Sequence, residues 1–112
     1  MIESFQIGQD SWPQFFVAFS AGNQGRNVGI EVIDDETGEE RITNSAPLLA
    51  VDYDPQDKGD DIVIATGRDG IDYTHTIASP MEVWEEEDEQ GNIVSLEITD
   101  RSGVRTVVQV KP

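Results

Sequence analysis

Short segments in which apolar and polar residues alternate fill most of the chain, from about residue 27 to residue 111. Alternation with this period predicts β-strands. The turns between the segments are short and rich in Gly, Asp and Asn, and none could hold a crossover helix. Short connections make consecutive strands antiparallel neighbours. The pattern predicts a mainly β fold (α+β), a curled antiparallel meander or a small barrel-like sheet of about seven strands.

Two neighbouring segments, ERIT (40–43) and APLLAVDYD (46–54), are predicted as separate strands. Pro47 lies near the start of the second segment. Because proline lacks a backbone N–H, we expect it at the beginning of a strand or on a sheet edge.

One helix is predicted near the N-terminus, over about residues 10–21. Ser11 and Gln14 have the spacing of a capping box, Pro13 suits the first turn, and Gly22 is a natural stop. Large apolar residues recur at i, i+3, i+4 and i+7, so that they share one helix face. We expect this face to pack on the sheet rather than to bind a ligand. Its members are Trp12, Phe15, Phe16 and Phe19.

The charge is strongly negative. The chain has 23 acidic and 7 basic residues and a net charge of −16, and its 112 residues suit a single domain, 1–112. Such a surface repels nucleic-acid phosphates and anionic lipids, so we expect neither as a partner. Adaptation to a salt-rich (halophilic) cytoplasm is an alternative cause of the charge, because salt screens repulsion between carboxylates.

Several classes of protein are excluded or disfavoured by what the chain lacks. Without cysteine it cannot form disulfides or thiolate-ligated zinc sites. No apolar run approaches the roughly 20 residues of a membrane span. The N-terminus lacks the basic start and apolar stretch of a signal peptide, so a soluble cytoplasmic protein is expected.

The most acidic run is WEEEDEQGN, residues 84–92. If the segment before it is a strand, Val83 points inward while Glu82, Trp84 and Glu86 point to the other face. The remaining carboxylates would crowd a hairpin turn, where water solvates them. We therefore interpret the run as a solvated hairpin tip.

The weak candidates for a metal site are Asp52, Asp54 and Asp57. The stretch around them has the look of a calcium loop, but Asp57 stands where an EF-hand needs glycine and Val63 where it needs glutamate. We therefore predict no metal site.

The candidates for a ligand pocket are His75 and Tyr73. His75 is the one histidine of the chain, and no serine or cysteine nucleophile motif accompanies it. No glycine-rich phosphate loop is present either. We predict no catalytic residues and no cofactor, and expect His75 to be a half-buried strand residue.

Several segments, taken in their order along the chain, resemble the DUF5335 domain of unknown function. They are WPQFFVAFS, IEVID, PLLAVDYD, IVIATG, THTIASP and LEITDRSGVRTVVQV, and together they span nearly the whole chain. The resemblance implies a small bacterial domain without an assigned activity. It supplies no catalytic or ligand residue.

The preferred hypothesis is a small, non-enzymatic, acidic β-domain that binds a basic protein or a second copy of itself, since its charge would attract a basic partner. One alternative is a small-molecule-binding or enzymatic role in a pocket near His75. Another alternative is a nucleic-acid mimic that binds a basic protein. Mimicry would need carboxylates regularly spaced on one face, whereas the acidic residues cluster at turns along the whole chain.

Overall fold

A computed structural model describes residues 2–112 and confirms the mainly β architecture. In this part of the chain one α-helix accompanies eight strands, and single turns of 3-10 helix occur at Gln9–Ser11 and Gln56–Lys58. The elements are β1 (Glu3–Ile7), α1 (Trp12–Asn23), β2 (Asn27–Asp34), β3 (Gly38–Asp54), β4 (Asp61–Thr66), β5 (Tyr73–Ala78), β6 (Pro80–Glu87), β7 (Ile93–Asp100) and β8 (Arg105–Val110).

All eight strands belong to one antiparallel sheet in the order β1-β6-β7-β8-β2-β3-β4-β5. The sheet is not closed, and β1 and β5 are its edge strands. The predicted antiparallel pairing is therefore confirmed. The order nevertheless departs from a simple meander, because β8 returns to pair with β2 and the N-terminal β1 pairs with β6.

A sharp corner at Ser79 shows why the sheet curls. Ser79 is the one residue between the edge strand β5 and β6, which lies near the opposite edge. Its backbone has φ of 52°, its N–H donates to the Asp60 carbonyl over 2.8 Å, and its carbonyl accepts from the Arg101 N–H over 2.9 Å. A flat sheet would be only about 10 Å thick. The molecule instead measures 31 × 31 × 30 Å, because the two ends of the sheet are brought together.

The two strands predicted as ERIT and APLLAVDYD are one continuous strand, so that prediction is wrong. The first part of β3 pairs with β2 and the second part with β4, and Pro47 lies where the partner changes. Register shifts beside Val28, Ile30 and Leu48 mark bulges, which bend strands without ending them. The polar residues between the two segments, Asn44 and Ser45, lie at the register shift between the Ile30–Thr43 and Val28–Ala46 pairs. Pairing with β2 continues on both sides of them, so the strand does not end there.

Strand β1 was missed by the sequence pattern. Its residues ESFQI are exposed except for the half-buried Ile7, so no apolar alternation marks it. Its place in the sheet comes from pairing with β6, a partner about 80 residues away in sequence, which no local pattern reveals.

The helix is confirmed, with two differences. It spans Trp12–Asn23 rather than 10–21, and Ser11 makes no side-chain capping hydrogen bond, so the predicted capping box does not form. Ser11 closes a 3-10 turn with φ of −96° and ψ of −6°, whereas a capping hydroxyl needs an extended backbone. The helix also continues past Gly22, and the Asn23 side chain donates to the Phe19 carbonyl over 2.9 Å.

The aromatic face of α1 fills the interior of the curled sheet, as predicted. Trp12, Phe16 and Phe19 are almost fully buried, and Phe15 packs partly against the same core. Ser20 ties the helix to β3, since its hydroxyl accepts from the Val51 N–H over 2.9 Å and donates to the Val51 carbonyl over 3.1 Å. The sheet supplies Val28, Ile30, Leu48, Val51, Ile62, Ile64, Val83, Leu96, Ile98 and Val108.

No helix in residues 2–112 is long and apolar enough to cross a membrane.

We predict that Phe16→Ala lowers the free energy of unfolding by about 3–5 kcal/mol, because it removes a ring that is 1% exposed and leaves a cavity. The neighbouring Val17 is 72% exposed, so Val17→Ala is the matched control and should change stability by no more than about 0.5 kcal/mol. Urea denaturation measures both. Equal effects would contradict a helix packed through its aromatic face.

A second prediction concerns the turn between β4 and β5. Gly67 has φ of 155°, and a Cβ at this position would collide with the Gly70 carbonyl oxygen. Gly67→Ala should therefore destabilise the protein by about 3 kcal/mol or more. Gly70→Ala meets open space and is the control for the same turn. Comparable melting temperatures for the two variants would show that this turn is not built as described.

Candidate functional site

A cleft of about 150 Å³ lies on the outer face of the sheet, where β6 and β7 run side by side. Trp84 is the direct cross-strand partner of Glu97, and Glu86 is the partner of Ser95. Side chains of directly opposed residues lie on the same face and about 5 Å apart at Cβ. The cleft is lined by Ser4, Trp84, Glu86, Ser95, Glu97 and Val107.

Hydrogen bonds hold the cleft side chains in place. The Trp84 indole N–H donates to Glu82 Oε1 over 3.0 Å, which fixes the orientation of the half-buried ring. The Ser95 hydroxyl, itself buried, donates to Glu86 Oε1 over 2.7 Å. Because Glu82 and Ser95 already hold Trp84 and Glu86, little further ordering of these two side chains is needed for a ligand to bind.

A cation already lies beside the cleft. Arg105 Nη1 on β8 is 3.5 Å from Glu97 Oε1, and both side chains are more than a third exposed. Such an ion pair contributes less than about 1 kcal/mol to stability, so another cation can replace Arg105 beside Glu97. An aromatic face beside carboxylates attracts ammonium and guanidinium groups through the ring quadrupole and through charge.

The sequence predicted which face Trp84 and Glu86 occupy, but it did not predict a cleft there. Placing Trp84 with Glu82 and Glu86 on the face opposite Val83 is consistent with the structure, in which Val83 is fully buried. Glu97 and Ser95 were missed as partners, because their approach to β6 depends on the register of the β6–β7 hairpin. Counting outward from the Gly-Asn turn could have paired them only if the bulge between Glu86 and Glu87 were known.

Glu85 corrects the interpretation of the acidic run as a solvated tip. Strand β6 extends to Glu87, so Glu85 lies on the inner face with Val83 and is only 9% exposed. Burial, followed by a hydrogen bond with Glu87 and by the negative charge of Glu87, raises the pKa of the Glu85 carboxyl from its ordinary value of 4.5 to about 7. Near neutral pH, Glu85 therefore shares a proton with Glu87.

The turn itself does match the expected hairpin tip. Asp88 Oδ1 accepts from the backbone N–H groups of Gln90 over 3.0 Å and Asn92 over 2.9 Å. Backbone hydrogen bonds, that from Asn92 foremost, lower the pKa of the Asp88 carboxyl below its ordinary value. This carboxylate shapes the turn, as aspartate commonly does.

The candidate ligand-pocket residues lie on the edge strand β5. Tyr73 is 44% exposed and His75 is half-buried, as expected for a strand histidine. Burial lowers the pKa of the His75 imidazole, while the negative charge of Glu40 opposes that shift. The clefts described here are lined by other residues, so a pocket at His75 and Tyr73 stays a prediction.

The weak metal candidates Asp52, Asp54 and Asp57 are all exposed. They line two broad grooves between α1 and the end of β3, with Asp57 in one of about 610 Å³ and the other two in one of about 450 Å³. Within residues 2–112, no three His, Cys, Asp or Glu side chains converge in a way that could hold a metal ion.

Comparison with known proteins places the chain in a family. The model of a family of unknown function, DUF5335, matches residues 3–112, which contain the helix and all eight strands. The chain belongs to the DUF5335 family. An uncharacterized protein of Aquifex aeolicus (strain VF5) is 32% identical over 106 residues, which cover 95% of this chain and 90% of that protein. No solved structure matches.

For this DUF5335 protein we predict a pH-dependent effect of Glu85→Gln. The folded-state pKa is raised, so protonated Glu85 supports stability most below pH 4.5 and that support is lost as the pH rises through about 7. At pH 8 the variant should be more stable than the wild type by about 1–2 kcal/mol. Because water reaches the nearby open edge of the sheet, we expect a smaller stability difference than a fully buried carboxylate would give.

Urea denaturation between pH 5 and pH 8 measures this difference. Glu86→Gln is the matched control, since Glu86 is the next residue on β6 but lies on the opposite, exposed face. Its difference from the wild type should not grow over the same interval. A constant difference for Glu85→Gln would mean that Glu85 is already ionised in the folded protein.

Proposed function

We propose that this protein is a binding domain, and that the cleft at Trp84 receives a cationic side chain, lysine or arginine, of a basic partner protein. One observation carries the proposal: the indole of Trp84 stands in a cleft among the carboxylates of Glu86 and Glu97, while Glu82 holds its N–H. This arrangement offers a cation an aromatic face and negative charge together. It offers little to an anion.

The size of the cleft favours a side-chain end over a cofactor. Pockets for drug-sized ligands measure roughly 300–1,000 Å³. The Trp84 cleft has about 150 Å³, which is below that range. A guanidinium or ammonium group fits such a space, and the rest of the partner would lie on the surface around it.

The charge of the whole molecule supports the same class of partner. With a net charge of −16, the protein attracts basic proteins over a distance and repels acidic ones. General attraction does not select a binding position. The cleft does, because it adds the stacking surface and the fixed carboxylates to the long-range field.

Free polyamines share this chemistry with basic peptides, and the nucleic-acid mimic and a ligand site near His75 remain alternative hypotheses. For mimicry, carboxylates should be arranged on one face. The exposed ones instead occur beside α1 (Asp52), in the β2–β3 turn (Glu36) and on the outer face of β6 (Glu86). This spread favours a local cation site over imitation of a phosphate backbone.

Calorimetric titration with a tetra-arginine peptide, a tetra-lysine peptide and spermidine tests the proposal. We expect the peptides to bind, with arginine ahead of lysine, because a planar guanidinium stacks on indole. Trp84→Ala should weaken peptide binding by about 3–30-fold, the equivalent of a cation–π contact of roughly 0.5–2 kcal/mol. Tighter binding of spermidine than of either peptide would point to a free polyamine instead.

A matched set of charge variants separates the cleft from the general field. Glu86→Gln and Glu97→Gln each remove one negative charge at the cleft, and Glu36→Gln removes one from the exposed β2–β3 turn. All three variants should weaken peptide binding slightly through the loss of net charge. Glu86→Gln and Glu97→Gln should weaken it clearly more than Glu36→Gln does. Arg105→Gln should strengthen it, since Glu97 then loses its resident cation. Equal losses in all three glutamate variants would contradict a specific cleft.

A further inference from the structure

Strand β1, which forms one wall of the cleft, is lightly held. It has five residues, and only Ile7 among them is even half-buried. Its C-terminal end is fixed, because the Trp12 indole N–H donates to the Ile7 carbonyl over 2.9 Å. Its other end has no comparable anchor among the hydrogen bonds described for residues 2–112. Edge strands with few buried contacts are the parts of a sheet that open first.

The register places β1 along the acidic run of β6. Glu3 is directly opposite Glu87, and Phe5 is directly opposite Glu85. Directly opposed side chains lie on the same face about 5 Å apart, and like charges in that position destabilise the pair. Docking of β1 therefore brings a third carboxylate next to the two that already share a hydrogen bond.

Within residues 2–112, no cation is directly opposite Glu85 in the pairing of β6 with β1 and β7. Glu3 on β1 and Glu87 on β6 are the ionisable groups on its face, and its partner on β7 is the uncharged Leu96. Helix α1 carries no charged residue at all. Two carboxyl groups form a hydrogen bond with each other only when one of them keeps a proton. Loss of that proton leaves negative charges on Glu3, Glu85 and Glu87 next to one another.

We propose that β1 is a pH-sensitive wall of the Trp84 cleft, docked on β6 while the Glu85–Glu87 pair holds its proton and released when the proton is lost. Release lets water reach Glu85 and moves Glu3 away from Glu87. It also removes Ser4 from the lining of the cleft and Gln6 from its place opposite Trp84. The consequence for ligand binding rests on the proposed function, whereas the movement of β1 does not.

Proton linkage gives the direction in which pH changes the docking of β1. The docked state binds the proton more tightly, because Glu85 has a pKa of about 7 there and an ordinary value of 4.5 when solvated. Docking is therefore strongest in acid and weakens as the pH rises. From pH 6 to pH 8 the docking equilibrium should fall roughly tenfold, since the titration of one group is completed in that interval.

Hydrogen exchange of the ligand-free full chain, followed by NMR at pH 6 and pH 8, tests the proposal. Protection factors of residues 3–7, corrected for intrinsic rates and divided by those of β7, should fall roughly tenfold in the wild type. In Glu85→Gln the ratio should change less than about twofold. An equal fall in β1 and β7 would mean global loosening and would overturn the proposal, as would unprotected β1 amides at pH 6.

Two further variants complete the test. Glu3→Gln removes the like charge opposite Glu87 and should raise β1 protection at pH 8. Glu86→Gln, the neighbour on the outer face, should keep the full tenfold change. If Glu85→Gln and Glu86→Gln retain the same pH dependence, Glu85 is not the trigger. Because exchange is measured without ligand, failure of tetra-arginine to bind would refute the cleft function and leave this result standing.

Discussion

The packing of Trp12, Phe16 and Phe19 inside the curled sheet is the interaction on which the rest of the molecule depends. These three rings are the buried aromatic side chains of the core, and the strands surround them with aliphatic ones. Burial of such rings contributes several kcal/mol each, against a conformational entropy cost that leaves small domains only marginally stable. The helix that carries them has no charged residue, so it can lie against the interior without burying a charge.

That packing also explains the sharp corner at Ser79. A sheet wrapped around a helix must bring β5 and β6 to a common end, and one residue with a left-handed backbone makes the link. Positive φ is costly for a residue other than glycine. The two backbone hydrogen bonds of Ser79, to the β3–β4 and β7–β8 turns, hold it in that conformation.

The acidic run of β6 shows how one stretch of sequence serves different environments. Because side chains alternate across a strand, Glu86 lines a cleft on the outer face of the sheet, while its neighbour Glu85 is buried on the inner face. Directly after the last paired residue of β6, Asp88 builds the turn with its carboxylate. A carboxylate of this hairpin thus lines an outer cleft, holds a proton in a buried position or forms the turn, according to its place in the hairpin.

Local patterns in the sequence were sufficient for the helix, its aromatic face and the antiparallel character of the sheet. All of these depend on neighbours a few residues apart. They also indicated that Trp84 faces away from Val83. Tertiary structure alone decided that β1 exists, that β3 is continuous, that Glu97 meets Trp84 and that Glu85 is buried. Each of these depends on which strand pairs with which and in what register, and one residue of slip reverses every face. Pairing of that kind joins residues far apart in the chain, so no short-range period contains it.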